Sequence, residues 1–386
     1  MALVLQSNNL SGGAFGYERE LERKLTKLCA SHNICLQIYY LKSKVLPSSI
    51  SSMKDAERFS YKIGLREKFD IWVQCSLSAR PIFQMLGIKT SKFEASLIKK
   101  GVDGIYFGSP NPLAMALREI PFVTTVWDIG HRDLPEYPEM SSHGKWEDRE
   151  LYFNSTAPKS VCVVTDSEAT GQKLERLFGV HSSRWQAMGL LPITNGIIVG
   201  VDEHRDEKFL LYPAHKWRHK NHETLFRALA ILKNKGERIK LVLTGADKGA
   251  GSHLIQLASV LEVDDVIEDK GFVSQAELEQ LMRRCSAVVM PSLLGPTNLP
   301  PLDALLRGKA VVVSDAHYFD MLGNAPVFTA RGNSPEDWAE KIALALEVDE
   351  FDPAELASTL EKTADEVLEK VVNALLATAL GRKEIQ

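Results

Sequence analysis

The stretch Leu210–Asn221, LLYPAHKWRHKN, sets three cations, Lys216, Arg218 and Lys220, among the histidines His215, His219 and the adjacent His222. An apolar run ends at Tyr212, and the segment that follows, HETLFRALAILK, has helical spacing. Cations gathered around the open amides of a helix start suit a diphosphate, because charge and helix dipole act in the same sense. Two other readings stand beside this one. The turn is a solvated basic loop, or the three histidines form a metal site. The interleaved Lys and Arg would repel a metal, and the turn offers no acidic ligand.

A second constellation, Pro291–Asp303 (PSLLGPTNLPPLD), follows the apolar run AVVM directly. Its Gly, Pro, Thr and Asn mark a tight turn, and a helix follows with Pro early in it. Thr297, Asn298 and Leu299 are then expected to present backbone N–H groups. Asp303, one turn further on, suits ribose hydroxyls, from which a carboxylate accepts in bidentate fashion; taken alone it fits a helix surface charge better. A third feature, Gly12-Gly13, lies in the loop after the first strand and permits close backbone approach to a ligand. Neither SGGAFGYE nor GADKGAG (Gly245–Gly251) has the G-x-G-x-x-G spacing of a dinucleotide site.

These features need strands and helices to place them, and the chain supplies them in alternation. The first half carries expected strands near Ala2–Gln6, Ile34–Tyr40, Asp70–Gln74, Gly104–Phe107, Phe122–Val126 and Val161–Thr165. Helices are expected over Tyr17–Ala30 and Phe93–Lys100, the latter opened by a capping box of Ser91 and Glu94. Trp127–Lys145 is a long loop rich in Pro, His, Asp and Glu, the kind that carries function. After a polar junction (GVDEHRDE, Gly200–Glu207) a fresh run of β-α units begins. The pattern implies an α/β chain of two Rossmann-like domains facing across a cleft at the carboxyl ends of their strands. Residues 1–200 form the first domain, 201–352 the second, and 353–386 a helical segment that packs back on the first.

The chain has 386 residues, 45% hydrophobic and 25% charged, which fits a soluble globular protein of two domains. A net charge of -4 argues against a general nucleic-acid binder. The five cysteines, Cys29, Cys35, Cys75, Cys162 and Cys285, form no C-x-x-C pair and point to a reduced, cytoplasmic setting. No secretory h-region follows Met1, and no apolar run approaches the ~20 residues a bilayer span needs. Peripheral membrane contact is expected, if anywhere, on the basic helix Tyr17–Ala30, with Arg19, Arg23, Lys24 and Lys27.

The second half resembles retaining glycosyltransferases of the GT-B fold, in the group that includes bacterial polysaccharide mannosyl-, glucosyl- and rhamnosyltransferases. The resemblance rests on YPAHKWRHKNHETLFRAL and on GFVSQAELEQLMRRCSAVVMPSLLGPTNLPPLDALLRGKAVVVSD. In the first half it is looser: Gly12-Gly13, GSPNP (Gly108–Pro112), TTVWDIGHRDLPEYPE and Arg149-Glu150. It implies a nucleotide-sugar donor, a glycan or lipid-linked acceptor, no cofactor and no divalent metal. Lys220 takes the place of the family's diphosphate lysine, with Lys216 or Arg218 as its basic partner and His215 in the same donor-binding turn. Phe272 and Val273 fall where the nucleobase packs. Asp303 stands for the second glutamate of an E-x₇-E motif, and Gly295 occupies the place of the first. His131 matches a histidine that faces the donor sugar. Two further readings share the fold: an enzyme like the UDP-sugar epimerases, and a non-catalytic glycosyltransferase-like subunit.

Overall fold

The apolar runs of the first half become short parallel strands, most of them buried on both faces, which is why they read as continuous rather than alternating hydrophobic stretches. The structure is a computed structural model describing residues 1–6, 13–41, 56–76, 78–87, 90–189, 191, 208–295, 298–316, 322–348 and 351–385. The chain divides into two units, the first comprising Met1–Ile129, Gly144–Leu191 and Lys362–Gln386, the second Gly130–His143 and Pro192–Glu361. Segment 130–143, expected with the first domain, thus groups with the second. The helix Ala354–Ile385 is divided between the two.

The first unit holds β1 (Ala2–Leu5), β2 (Leu36–Leu41), β3 (Ala56–Tyr61), β4 (Ile105–Phe107), β5 (Phe122–Val126), β6 (Cys162–Thr165) and β7 (Trp185–Ala187). They form one parallel sheet in the order β3-β2-β1-β4-β5-β6-β7. The second unit holds β8 (Phe209–Pro213), β9 (Lys240–Thr244), β10 (Ile267–Asp269), β11 (Ala287–Met290), β12 (Ala310–Ser314) and β13 (Val327–Ala330). Their order, β10-β9-β8-β11-β12-β13, repeats the same winding, again with every pair parallel. Two Rossmann-like α/β units are therefore present. In each, the winding reverses beside the unit's first strand, between β1 and β4 and between β8 and β11, and a crevice opens there at the carboxyl ends.

Several local expectations need correction. Asp70–Gln74 is part of a helix, Leu65–Cys75, not a strand. A short apolar run such as DIWVQ does not distinguish the two by itself. The Glu67 carboxylate decides it by accepting the Gly64 N–H at 2.8 Å, which closes the first helical turn. β3 went unrecognised because it is an edge strand with polar alternation, AERFSY. The capping box before Lys92–Lys99 is only half made. Ser91 Oγ accepts the Glu94 N–H at 3.2 Å, but the Glu94 carboxylate is fully buried elsewhere. It accepts the backbone N–H groups of Arg118, Glu119 and Ile120 at 2.7–3.0 Å and so anchors the entry to β5.

The basic helix, observed over Gly13–Ser31, is no surface feature. Glu18, Glu20, Glu22 and Lys24 are buried, the Lys24 ammonium meets Asp365 at 2.7 Å, and Arg23 pairs with Glu20. Of its four cations Arg19 and Lys27 are exposed, so half of its positive charge is taken up within the protein. No helix among the described residues is long and apolar enough to cross a membrane.

Candidate functional site

β8 and β11 lie side by side in parallel, Leu210 opposite Ala287 and Leu211 opposite Val288. Their carboxyl ends therefore deliver the basic turn and the PSLLGPTN loop to the same edge of the second sheet, at its switch point. Hydrogen bonds join the two loops. The Leu293 N–H donates to the His219 carbonyl at 2.8 Å. Lys220 Nζ donates to Ser292 Oγ at 3.2 Å and to Asn298 Oδ1 at 3.1 Å.

The turn is shaped by its backbone. Arg218–Lys220 make one 3-10 turn, and Asn221 adopts a left-handed conformation (φ 54°) before the helix His222–Asn234. Asparagine tolerates that conformation, and here its side chain is fixed as well, donating to the Gly332 carbonyl and accepting from Thr224. Gly245, after β9, has φ 119°, and a Cβ there would meet the Ala214 carbonyl at 2.4 Å. Only glycine lets this loop close on the basic turn.

The three cations have different surroundings. Lys216 is buried, with Nζ 2.9 Å from Asp269 Oδ1 and 3.0 Å from the Gly245 carbonyl, so its charge ties together the loops after β8, β9 and β10. Arg218 is exposed, and its guanidinium meets no carboxylate among the described residues. Lys220, part-buried, faces the second loop. The GADKGAG segment is accounted for by Asp247, whose Oδ1 accepts the N–H groups of Gly249 and Gly251, each at 2.9 Å, to cap Gly251–Val260.

The three histidines also separate. His215 is exposed, and its Nδ1 accepts the Ala246 N–H at 2.9 Å. Partial burial, then Lys248, Lys220 and Lys216, lower its pKa and favour the neutral ring. That ring lies nearly parallel to Phe272, at 14° and 6.4 Å between centroids, while Phe272 is 63% exposed. Val273 is partly buried beside it. His219 is buried, and both its N–H (3.0 Å) and its Nδ1 (2.7 Å) meet the carboxylate of Glu139. Burial alone would raise the Glu139 pKa, but these contacts hold it below the usual carboxylate range. His222 packs at 4.5 Å on Tyr212, and burial, with Lys216, Lys220 and His219 nearby, pushes its pKa down to about 3. Among the described residues no group of three or more His, Cys, Asp or Glu is placed to hold a metal ion.

In the second loop, Ser292 is buried and its Oγ donates to the Leu294 carbonyl at 2.7 Å. Gly295 has φ 96°, a conformation in which a glutamate would be strained, so the missing carboxylate of the E-x₇-E pattern follows from the turn itself. Asn298 Nδ2 donates to the Gly295 carbonyl at 3.3 Å. The helix Leu299–Leu305 has Pro300 and Pro301 directly after its first residue. Neither has an N–H, so among the described residues the helix start offers the amides of Asn298 and Leu299 and none from the next two positions. Asp303 is partly buried, and its carboxylate accepts no hydrogen bond among the described residues. The nearby Arg307 is spent on Glu279, at 2.5 and 3.1 Å, and on the Asp303 carbonyl. Burial, with a smaller push from Glu279 against the pull of Arg307, raises the Asp303 pKa to about 6.

His131 is fully buried in the short helix Gly130–Asp133, within the segment that Glu139 pins to His219. Gly13 begins the first helix, while Gly12 and Thr297 lie outside the described residues. Sequence reasoning missed Ser292 and Glu139. Glu139 gave no signal, because its partner is 80 residues away.

The carboxyl ends of the first unit's strands are lined differently. The Glu18 carboxylate accepts the Gln6 N–H at 2.9 and 3.1 Å and the Ser109 hydroxyl, and Asp128 lies 3.5 Å from Arg149. Asp166, buried, follows β6 and accepts from Ser167 at 3.2 Å.

Residues 199–366 match the family described as glycosyl transferases group 1. No curated protein matches the chain. Among solved structures it is similar to sucrose-phosphate synthase from Thermosynechococcus elongatus, at 18% identity and TM-score 0.63, covering 100% of this chain and 98% of that one. It is also similar to Anabaena HepE in complex with UDP and glucose, at 15% identity and TM-score 0.62, covering 98% of both. A third is the apo form of WaaB, a lipopolysaccharide outer core galactosyltransferase, at 13% and 0.62, covering 98% and 99%. At these identities the likeness is one of fold, and the two Rossmann-like units are that shared fold.

Proposed function

We propose that the protein is a retaining glycosyltransferase that moves a hexose from a nucleoside-diphosphate sugar to a glycan or lipid-linked acceptor, in cell-surface polysaccharide synthesis. The observation that carries this reading is the meeting of two loops at the switch point of the second sheet, where Lys220 Nζ reaches Ser292 Oγ and Asn298 Oδ1. The family match over 199–366 and the UDP and glucose held by HepE support it.

In this reading Lys220 and Arg218 flank the diphosphate. Lys216, already paired with Asp269, shapes the turn instead of holding the ligand. The base stacks on the rings of His215 and Phe272 beside Val273, and the Asp303 carboxylate accepts from the ribose hydroxyls. Gly295 has no side chain, so Asn298 and the Leu299 amide serve the sugar. His131, being fully buried, holds the 130–143 segment in place.

When the anomeric C–O bond breaks, its electron pair goes to the departing β-phosphate oxygen and an oxocarbenium-like sugar remains. Cations already in place stabilise that charge without reorganising, the largest effect such a site offers. The acceptor hydroxyl then bonds to the anomeric carbon on the same face and gives its proton to a phosphate oxygen. This route uses no cofactor and no divalent metal.

The test is a panel of nucleotide sugars scored by thermal shift, with UDP, GDP, dTDP and ADP alone, followed by transfer assays on the best ligand. Stabilisation by one nucleotide and by its sugar, with transfer to a glycan, is the expected result. Free sugar released in step with nucleotide would replace the transferase by an epimerase-like enzyme. No nucleotide binding at all would leave a non-catalytic subunit.

A further inference from the structure

Thirteen large apolar side chains are exposed among the described residues, and six of them sit on one helical hairpin of the first unit. On Leu65–Cys75 they are Leu65 (86% exposed), Phe69 and Trp72 (57%); on Ala79–Met85 and just after it they are Ile82, Met85 (89%) and Leu86 (70%). The Phe69 ring meets Phe83 edge-on at 5.5 Å, which locks the two helices into one surface.

At about 100° per residue, Leu65, Phe69 and Trp72 fall within an arc of about 60°. Arg66 borders that arc on one side and Lys68 on the other, both exposed. The two acids of the helix, Glu67 and Asp70, lie on the opposite side and are buried. Asp70 anchors Arg66 at 3.3 Å and accepts the Lys92 N–H at 2.8 Å. Lys62 and Lys92 extend the basic border, and no carboxylate among the described residues of 62–92 is exposed.

We propose that this hairpin docks the protein on an anionic lipid bilayer, with Leu65, Trp72 and Met85 entering the headgroup boundary and Lys62, Arg66 and Lys68 meeting the lipid phosphates. An apolar stripe with tryptophan, bordered by cations on both sides, is the pattern of an interfacial helix. Long basic side chains hold their heads at headgroup level while their stems cover apolar surface. A second copy of the chain fits less well, because a self-complementary contact would set these like-charged borders against each other. The proposal goes beyond sugar transfer and needs no donor or acceptor for its test.

The full chain is to be co-sedimented with phosphatidylcholine vesicles with and without phosphatidylglycerol, at low and at molar salt. Binding to the anionic vesicles, weakened by salt, is expected. Brominated acyl chains should quench the parent's tryptophan emission, and Trp72→Phe should remove most of that quenching. Leu65→Ser/Trp72→Ser/Met85→Ser should lower partitioning roughly tenfold or more, and so should Arg66→Glu/Lys68→Glu, which leaves the apolar stripe intact. Thermal unfolding of both variants, unchanged from the parent, reports that they are folded. Failure of the parent to bind anionic vesicles overturns the proposal, as does undiminished binding by both variants. So does a concentration-dependent dimer of the parent that the apolar substitutions dissolve, which would assign the face to a second copy.

Discussion

The two sheets are wound alike, but the unpaired charge at the carboxyl ends of their strands differs: the exposed Arg218 of the second unit meets no carboxylate among the described residues. Beside β8 and β11 stand Lys216, Arg218 and Lys220, with Asp269 on Lys216, Glu139 on His219 and the partly buried Asp303. Beside β1 and β4, and at the ends of β5 and β6, stand Glu18, Ser109, Asp128 and Asp166. Topology therefore supplies a crevice in both units, and side chains alone decide what each can hold. A cationic edge suits a diphosphate, whereas an acid-lined one repels it and suits hydroxyl groups, which donate to carboxylates.

The sharpest way to break this contrast is Lys220→Ala set against Asp128→Asn. Losing the cation from the leaving diphosphate should lower turnover by ~10²-fold or more. Asp128→Asn should leave the affinity for bare nucleoside diphosphate as it is. Calorimetry on both variants decides it: a loss of nucleotide binding in Asp128→Asn would mean that the acid-lined edge also serves the donor.

Asp303 is the carboxylate of the cationic edge that accepts no hydrogen bond among the described residues, and its titration can be read. Asp303→Ala should weaken the bare nucleotide by about 1.5–3 kcal/mol, the usual worth of a charged hydrogen bond. Only when ionised does the carboxyl accept from ribose through both oxygens with full charge, so affinity should fall as pH falls through about 6. Nucleotide phosphates titrate near there too, so the quantity to compare is the pH slope of the parent minus that of Asp303→Asn. For stability the sign reverses. Folding raises this pKa from 3.8 to about 6, so the folded chain holds the proton better and stability declines as pH rises across that window. A parent and an Asp303→Asn variant with the same pH dependence in both measurements would remove Asp303 from the ribose.

Glu139 tests whether the inserted segment belongs to the cationic edge. Glu139→Ala leaves the buried His219 N–H unsatisfied and should cost about 1–3 kcal/mol of stability. Because folding depresses the Glu139 pKa, its contribution is complete above the unfolded carboxylate range and is lost as pH falls through the folded value. Chemical denaturation at neutral and acidic pH should show the two proteins converging in acid. The smallest effect is expected from EDTA, which should leave transfer intact, since cations of the chain meet the leaving group. A strict need for Mg²⁺ or Mn²⁺ would reassign that neutralisation.

Much of the cationic edge was legible in the sequence because its signals are local. The strands before each loop are unbroken apolar runs, LLY and AVVM, and the cations stand within five residues of each other. What was hidden depends on distance along the chain. Lys216 looked equivalent to Arg218 until Asp269, from the end of β10, captured it. Leu65–Cys75 was misread because DIWVQ fits a strand as well as a helix, and the deciding contact is the Glu67 carboxylate on Gly64. The basic helix Gly13–Ser31 misled in the opposite sense. Its cations were visible, but Asp365, which takes up Lys24, lies 341 residues away and could not be paired with it from pattern alone.

The helix Ala354–Ile385 bears on how the chain is made. Its residues from Lys362 onward belong to the first unit, where Leu375 fills the notch over Gly104 so closely that a Cβ there would meet Leu375 at 2.8 Å. During synthesis the roughly 170 residues between Leu191 and Lys362 occupy about 10–30 s at ribosomal rates. Throughout that interval the first unit waits with its notch open and part of its apolar core uncovered, while segment 130–143 waits for the turn that will hold it. The unit that begins folding first is the one completed last, and the nascent chain is most exposed to misassembly while the second unit emerges.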